Sequence, residues 1–331
     1  MQRFVHLALV LSMASAGLTV PATATAAEPV KDYPIRPIRL IVPQNPGASN
    51  DTISRIVAAK MSELLGQQMV IDNRPGAGGT IAGELAATAN PDGHTLYATA
   101  TASQVIGPQI ITKINYHPIG DFAPVSLLAV TDNILVVNPK LPITSLKELV
   151  AHMKANPGRQ LNMANAGAGT QSHLAGVLLA HVAKLDVVHV PYKGGGASVA
   201  ATIGGESQIT ITPAPAVLGH VRAGRLRALA SGSAKRSPLT PEIPTLAEAG
   251  LPGFVSNGWI GLLAPKATPK TVVSTLHAAV VKAVNDPTTS KLMEKAGGDP
   301  ETMQPAEFVR FMNEEWQRFG QAIKIAKLRP E

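Results

Sequence analysis

The stretch Asn165-Ala166-Gly167-Ala168-Gly169-Thr170-Gln171-Ser172-His173-Leu174 decides how this chain is read. A strand-like run, Gln160 to Ala164, leads into it. A helix-like run, Thr170 to Lys184, leaves it, with Leu174, Val177, Leu178, His181 and Val182 at helical spacing. Small residues in the turn let backbone approach a ligand, and the free N–H groups of a helix start point outward. The helix dipole adds positive potential there, so the unit suits an anion, above all a carboxylate or phosphate. Many α/β folds carry such a turn without a ligand. A second copy of the device gives this one its meaning.

That copy lies near the start. Ile38 to Val42 reads as a buried strand and Pro43 to Asp51 as a loop of small and polar residues. The helix that follows puts Ile53, Ile56, Val57, Met61, Leu64 and Leu65 on one face, with Gly66 as its stop. Ser49, Asn50 or Asp51 is expected to cap it. Met69 to Asp72 and Thr95 to Thr99 are further strands, separated by the glycine-rich loop Asn73 to Thr80 and an alanine-rich helix. Pro118 to Pro124 reads as a linker, and Val125 to Val137 as two strand-like runs crossing between domains. Ser145 and Glu148 make a capping box. Strands follow at Val187 to Val190, Ile209 to Ile211, Leu226 to Ala230 and, last, Ile260 to Leu263. Thr268-Pro269 opens a helix with proline at its first position. Two more helices end the chain, the last holding Phe308, Phe311, Met312 and Trp316. Strands alternating with helices imply parallel sheets, with ligands beyond the carboxyl ends of the strands, where all these loops lie. Two α/β lobes with a cleft between them follow.

A length of 331 residues exceeds one ordinary core, so two domains are expected. Hydrophobic residues make up 45%, a globular composition. Arg3, the apolar run Phe4 to Val20 and Ala24-Thr25-Ala26 read as a signal peptide cut after Ala26 or Ala27. No later run is long and apolar enough to span a bilayer. With no cysteine, an exported chain has neither disulfides nor a lipid-attachment site, so its core stands alone in the periplasm. Losing Arg3 with the leader takes Lys+Arg from 29 to 28 against 22 acids, a net +6. The bases are scattered and aromatics are 4%, which argues against nucleic acid and allows attraction of small anions.

Several chemistries find no support. No Gly-Lys-Ser/Thr follows a glycine loop, both glycine-rich turns lack the third glycine of the dinucleotide fingerprint, and no Gly-x-Ser-x-Gly elbow occurs. No two of the nine histidines have tight ligand spacing with a nearby carboxylate, so neither a metal nor a cofactor is expected. His94, His117, His152, His220 and His277 read as surface or turn residues, His181 and His189 as packed in the second lobe. His173, in the first turn behind the glycine loop, either holds that loop by a hydrogen bond or touches the ligand. The dipole disfavours imidazolium there, so it is expected neutral.

The chain resembles the substrate-binding proteins of tripartite tricarboxylate transporters, the Bordetella uptake gene family, from about Tyr33 to its end. The motifs that carry the likeness are Pro43 to Asp51 with Arg55, Asn73 to Gly79, Asn90 to Leu96, Gly167 to Thr170 with His173-Leu174, and Pro191 to Gly194. Arg227 to Ala230 with Lys235 to Ser237, Pro244 to Gly250, and Ala264-Pro265 with Thr268-Pro269 continue it. The resemblance implies a type II periplasmic binding protein: two lobes, each a mainly parallel sheet flanked by helices, closing on a carboxylated solute. Residues 28–130 with 255–331 would form lobe 1 and residues 131–254 lobe 2, after a 1–27 leader. In the family, two loops pinch a ligand carboxylate through backbone, small side chains and water; here they correspond to Gly47 to Asp51 and Asn165 to Thr170. The loaded protein, a monomer, would deliver its solute to membrane permease subunits, or to a sensor kinase in a variant role.

Departures from the family pattern narrow the ligand. Gln44 stands where phenylalanine is frequent and Ala48 where a second glycine is. The aspartate that grips an amino group in some relatives has no counterpart in Gln208 to Thr212. That argues against an amino acid and for a di- or tricarboxylate or an aromatic acid. Tyr192 or Trp259 would line an aromatic slot. The expected ligand-binding set is Gly47, Ala48, Ser49, Asn50, Asp51, Ala77, Gly78, Ser103, Asn165, Ala166, Gly169, Thr170, His173, Tyr192, Thr210 and Thr212. No catalytic residue is expected; an α/β enzyme acting on a carboxylate would need a base in the cleft, for which Asp51 and His173 are the candidates.

Overall fold

A computed structural model describes residues 33–328 apart from Pro157, Arg159 and Leu239. The expected leader and its cleavage site lie outside the described residues. Eleven strands and ten α-helices are distributed over two sheets among the described residues. In the first sheet β1 (Ile38–Val42) pairs in parallel with β2 (Met69–Asn73) and β3 (Thr95–Ala100). β10 (Gly258–Pro265) runs antiparallel between β3 and β4 (Phe122–Thr131), and the two-residue β11 (Asp299–Pro300) edges β4. In the second sheet β6 (Leu161–Asn165) pairs in parallel with β7 (Val187–Pro191) and β8 (Ile209–Pro213). β5 (Asn133–Val137) runs antiparallel between β8 and β9 (Arg227–Ser231). In each sheet four strands run one way and a reversed strand is inserted among them: β10 between β3 and β4, with the edge β11 also reversed, and β5 between β8 and β9. The inserted strand is in each case the first after the chain crosses over. This is the two-lobed fold anticipated, with direction mainly parallel and the reversed β10 and β5 each following a crossing.

The two crossings run side by side. Asp132 separates β4 from β5, and the return passes through Ser256 and Asn257. Asn133 Nδ2 donates to Ser256 O (2.6 Å), Gly232 N to Asn133 O and Ser256 N to Gly232 O (both 2.7 Å). A short, paired hinge of this kind lets lobes rotate without tearing either sheet.

Several local expectations change. Phe122 to Pro124 belongs to β4, not to a linker, because those residues pair with Leu263 to Pro265. β11 follows β10, so Ile260 to Leu263 is not in the last strand. Pro269 is the N-cap of α8 (Lys270–Val284) and stands before its first turn. Ser145 does cap α4 (Leu146–Ala155), but Glu148 returns its carboxylate to Thr144 N (2.6 Å). His94 is buried beneath the Tyr33 ring (5.1 Å), whereas His181 is exposed.

The last helix, α10 (Pro305–Ile325), ties the lobes together. Phe308, Met312, Glu315, Phe319, Ala322 and Ile323 form its buried stripe. It packs on β4 of the first lobe and on α5 (Gln171–Ala183) of the second, so one apolar cluster runs from Tyr97 and Trp259 through Phe308 and Phe319 to Leu174 and Leu178.

Candidate functional site

The first loop is built by α1 (Ser49–Leu65) and its partners. Ala48 is the N-cap and makes no side-chain cap; Ser49, Asn50 and Asp51 all lie inside the helix. The capping work passes to Gln44, whose Oε1 accepts from Asn50 N (3.0 Å). Asp51 is buried and holds the loop: it accepts from Gly47 N (2.8 Å), Asn73 Nδ2 (2.8 Å) and Arg55 Nε (2.9 Å). Burial works to raise the Asp51 pKa, but the hydrogen bonds from Arg55, Asn73 and Gly47 outweigh it and keep the carboxyl below its usual range. Asn50 is spent likewise, donating Nδ2 to Ala98 O (2.7 Å) and accepting from Ser54 Oγ (3.0 Å). The acid and amide side chains of this motif thus hold the loop, and Gly47 and Ser49 are exposed beside them.

A cavity of about 410 Å³ opens between the lobes at the carboxyl ends of β1, β3 and β8. Lobe 1 contributes Gln44, Gly47, Ser49, Asn50 and Thr52 from the first loop, Thr101 and Ala102 after β3, and Thr131, Trp259 and Gly297. Lobe 2 contributes Gln171 and the Pro213–Ala216 start of α7 (Ala214–Arg222). Three helix starts therefore converge on one space: α1, α7 and α5. Part of each first turn is already engaged, Asn50 N by Gln44 Oε1, His173 N by Thr170 Oγ1 and Ala214 N by Asp132 O, so what the three starts share is the positive end of the helix dipole. Among the described residues none lining the cavity carries a charge, so an anion there is held by dipoles, hydroxyls and amides. The Gln171 side chain reaches across to Gly258 and Thr131, and its Nε2 is buried without a partner. A larger cavity, about 500 Å³, lies behind Pro215 and Gly297 and is lined by Arg222, Lys291, Glu294 and Asp299 among others. The smaller one is the candidate ligand cleft because residues from the starts of α1, α5 and α7 line it together.

Over residues 53–328 the sequence matches the family described as the tripartite tricarboxylate transporter family receptor. The chain belongs to that receptor family. BugT of Bordetella pertussis (strain Tohama I) is 36% identical over 313 residues, 94% of each chain. A solved structure of R. palustris Rpa4515 with adipate has a TM-score of 0.75 at 31% identity, covering 91% of this chain and all of that one. MatC from Rhodopseudomonas palustris with bound malate gives 0.69 at 31%, covering 88% and 100%.

In this receptor the anticipated residues separate into three groups. Gly47, Ser49 and Asn50 line the cavity, and Ala48 and Asp51 shape the same loop. A second group builds the turn that precedes Gln171. Asn165 Oδ1 accepts from Gly167 N (3.0 Å), Ser172 Oγ from Ala166 N (3.0 Å) and His173 Nδ1 from Gly169 N (3.1 Å). Thr170 is the N-cap of α5; its Oγ1 donates to Gly167 O (2.7 Å) and accepts from His173 N (3.4 Å). His173 therefore holds the loop, with its ring turned toward His189 and away from the cleft.

The third group lies outside the cavity. Tyr192 Oη pairs with Ser207 Oγ (3.2 Å), and Thr210 Oγ1 donates to Ala164 O (2.9 Å). Thr212 is buried beside Gly195, its hydroxyl unpartnered. Ser103 is a buried link between Thr99 and Ala100. Ala77 and Gly78 belong to a left-handed turn, Gly76 to Gly79 (φ 124, 44, 61 and 93), which packs Gly78 on Gly107. None of these residues lines that cavity. Gln171 and Pro213 to Ala216 went unnoticed, although strand–proline–helix at Pro213 repeats the strand–turn–helix pattern of the other two loops. Replacing Thr170 with valine is expected to cost about 1 kcal/mol of stability through the lost cap. Loosening the turn that seats Gln171 should also weaken ligand binding by roughly tenfold, 1.4 kcal/mol. Calorimetry on the purified variant checks both.

Proposed function

We propose that this receptor is an exported periplasmic protein that captures an aliphatic di- or tricarboxylate and hands it to the membrane permease subunits of a tripartite tricarboxylate transporter. The observation that carries this reading is the interlobe cavity in which three helix starts and uncharged donors meet with no acidic side chain. A carboxylate gains from those dipoles, while the ammonium of an amino acid would find no counter-charge. Trp259 supports an aliphatic over an aromatic solute. Its ring is buried, edge-on to Phe308 and Phe311 (5.6 Å each), and its Nε1 donates to Glu315 Oε2 (3.1 Å), which leaves little aromatic surface for stacking. The relatives with adipate and malate agree with this class. The family is one of receptors, and the two candidate bases are otherwise engaged, Asp51 in the loop network and His173 with Gly169 N.

The test is a thermal-shift screen of the mature protein against malate, adipate, citrate, phthalate, benzoate, aspartate and glutamate. A ligand at a hundred times its Kd should add about 2.7 kcal/mol. Stabilisation by one of the first three is expected. Stabilisation by aspartate or glutamate would replace the non-amino reading, and a flat response to every carboxylate would sink the proposal.

A further inference from the structure

We propose that His173 is a positioning residue whose neutral imidazole holds the ligand loop, so that capture weakens when the medium turns acid. The inference rests on the reading of the Asn165–Thr170 turn and Gln171 as part of the ligand site. Gly169 N donates to His173 Nδ1 (3.1 Å), and a backbone amide can only donate, so Nδ1 must carry its lone pair and any ring proton sits on Nε2. Protonating Nδ1 turns an acceptor into a second donor facing the first, and the hydrogen bond is lost. The loop has much to lose with it. Gly169 is packed against Ile110 and Leu328 of the first lobe, and two residues on, Gln171 reaches the cleft. The bond thus secures both an interlobe contact and the placement of a cavity-lining side chain.

The surroundings bias the ring toward neutrality. His173 is half-buried, and the His189 ring of β7 meets it edge-on at 5.5 Å, packed in turn over Gly176 and Met163. A separate pocket beside the His173 ring, distinct from the ligand cavity, is also lined by His181 of α5 and by Asp186 in the turn before β7. The end of α10 brings Ile325 and Ala326, which carry no charge. Burial lowers the His173 pKa below its ordinary 6.5. Burial, then the proximity of His173, lowers that of His189 to about 4. Depressed histidine values mean that the contribution is present above the ordinary value of 6.5 and is lost as pH falls below it.

The expected result is a Kd that rises as pH falls below 6.5, by less than the roughly tenfold that an unperturbed histidine would give between pH 7.5 and 5.5. In H173N the amide Oδ1 accepts from Gly169 without titrating, so its Kd should change only as far as the ligand's own ionisation dictates. H173L has no acceptor; it should be weaker than H173N at both pH values, and equally insensitive. A second readout needs no ligand: NMR protection of the Gly169 amide should fall below pH 6.5 in the wild type and stay constant in H173N. Equal acid loss in wild type and H173N, or Gly169 protection indifferent to pH, overturns the proposal. If no carboxylate binds at all, the receptor reading fails by itself and the amide measurement still decides the role of His173.

Discussion

Replacing Ala48 with aspartate is expected to remove ligand binding while leaving the fold intact or slightly firmer. Ala48 is the N-cap of α1, in extended backbone (φ −71, ψ 162), between Gly47 and Ser49 of the cavity lining. Aspartate suits that position. Its carboxylate can accept from first-turn N–H groups, a change worth about 1 kcal/mol at an uncapped helix and less here, where Gln44 already serves Asn50 N. The same carboxylate, however, places a fixed anion where the ligand's anion must go. Two unit charges about 4 Å apart repel by roughly 4 kcal/mol at the effective dielectric of a protein surface. A loss of at least about a hundredfold in affinity follows, since each 1.4 kcal/mol is tenfold. Arg55 does not relieve it, being committed to Asp51 and Asn73. A melting curve at or above the wild-type midpoint together with absent binding is the expected pair of results. Wild-type affinity in this variant would show that the α1 start is not the anion site.

Replacing Gly297 with alanine should have the next largest effect, and by a steric route. Gly297 has φ +84, and a Cβ built on it falls 1.9 Å from Pro215 Cγ and 2.9 Å from Cδ. Ordinary carbon contacts are about 3.5–4.0 Å, so the two backbones must part by roughly 1.5–2 Å. Pro215 cannot turn aside, because its ring is fused to the backbone at the start of α7. Gly297 belongs to the first lobe and Pro215 to the second, and both line the ligand cavity. Alanine therefore wedges the lobes apart where the ligand must be gripped from both sides. The left-handed backbone adds about 1–2 kcal/mol of strain. Binding weaker by about tenfold or more and a lower melting midpoint are expected from calorimetry and a thermal scan. A Kd within twofold of wild type would mean that this contact plays no part in capture.

Much of this was written in the chain itself. The β1 strand, the Gly66 stop of α1 and the Thr170 start of α5 follow from local pattern, because hydrophobic period and capping chemistry act within a few residues. So did the pairing of two strand–loop–helix devices, since helix starts attract anions wherever they occur. Sequence could not tell which side chains of those loops face the ligand. The Asp51 and Asn50 side chains look like binders but also hold the loop, Asp51 through Arg55 one turn on and the distant Asn73, Asn50 through the distant carbonyl of Ala98. His173 left two readings open until β7 placed His189 beside it.

What the sequence by itself determined is most of the elements, the two-lobed α/β fold and the receptor family, all of which depend on short-range pattern and on motifs read in order. Only the tertiary structure decided the insertion of β10 and β5 as reversed strands, the convergence of α1, α5 and α7 on one uncharged cavity, and the contact of Gly297 with Pro215. Those features join residues tens to hundreds of positions apart. They are set by how layers pack, and no local spacing in the chain encodes them.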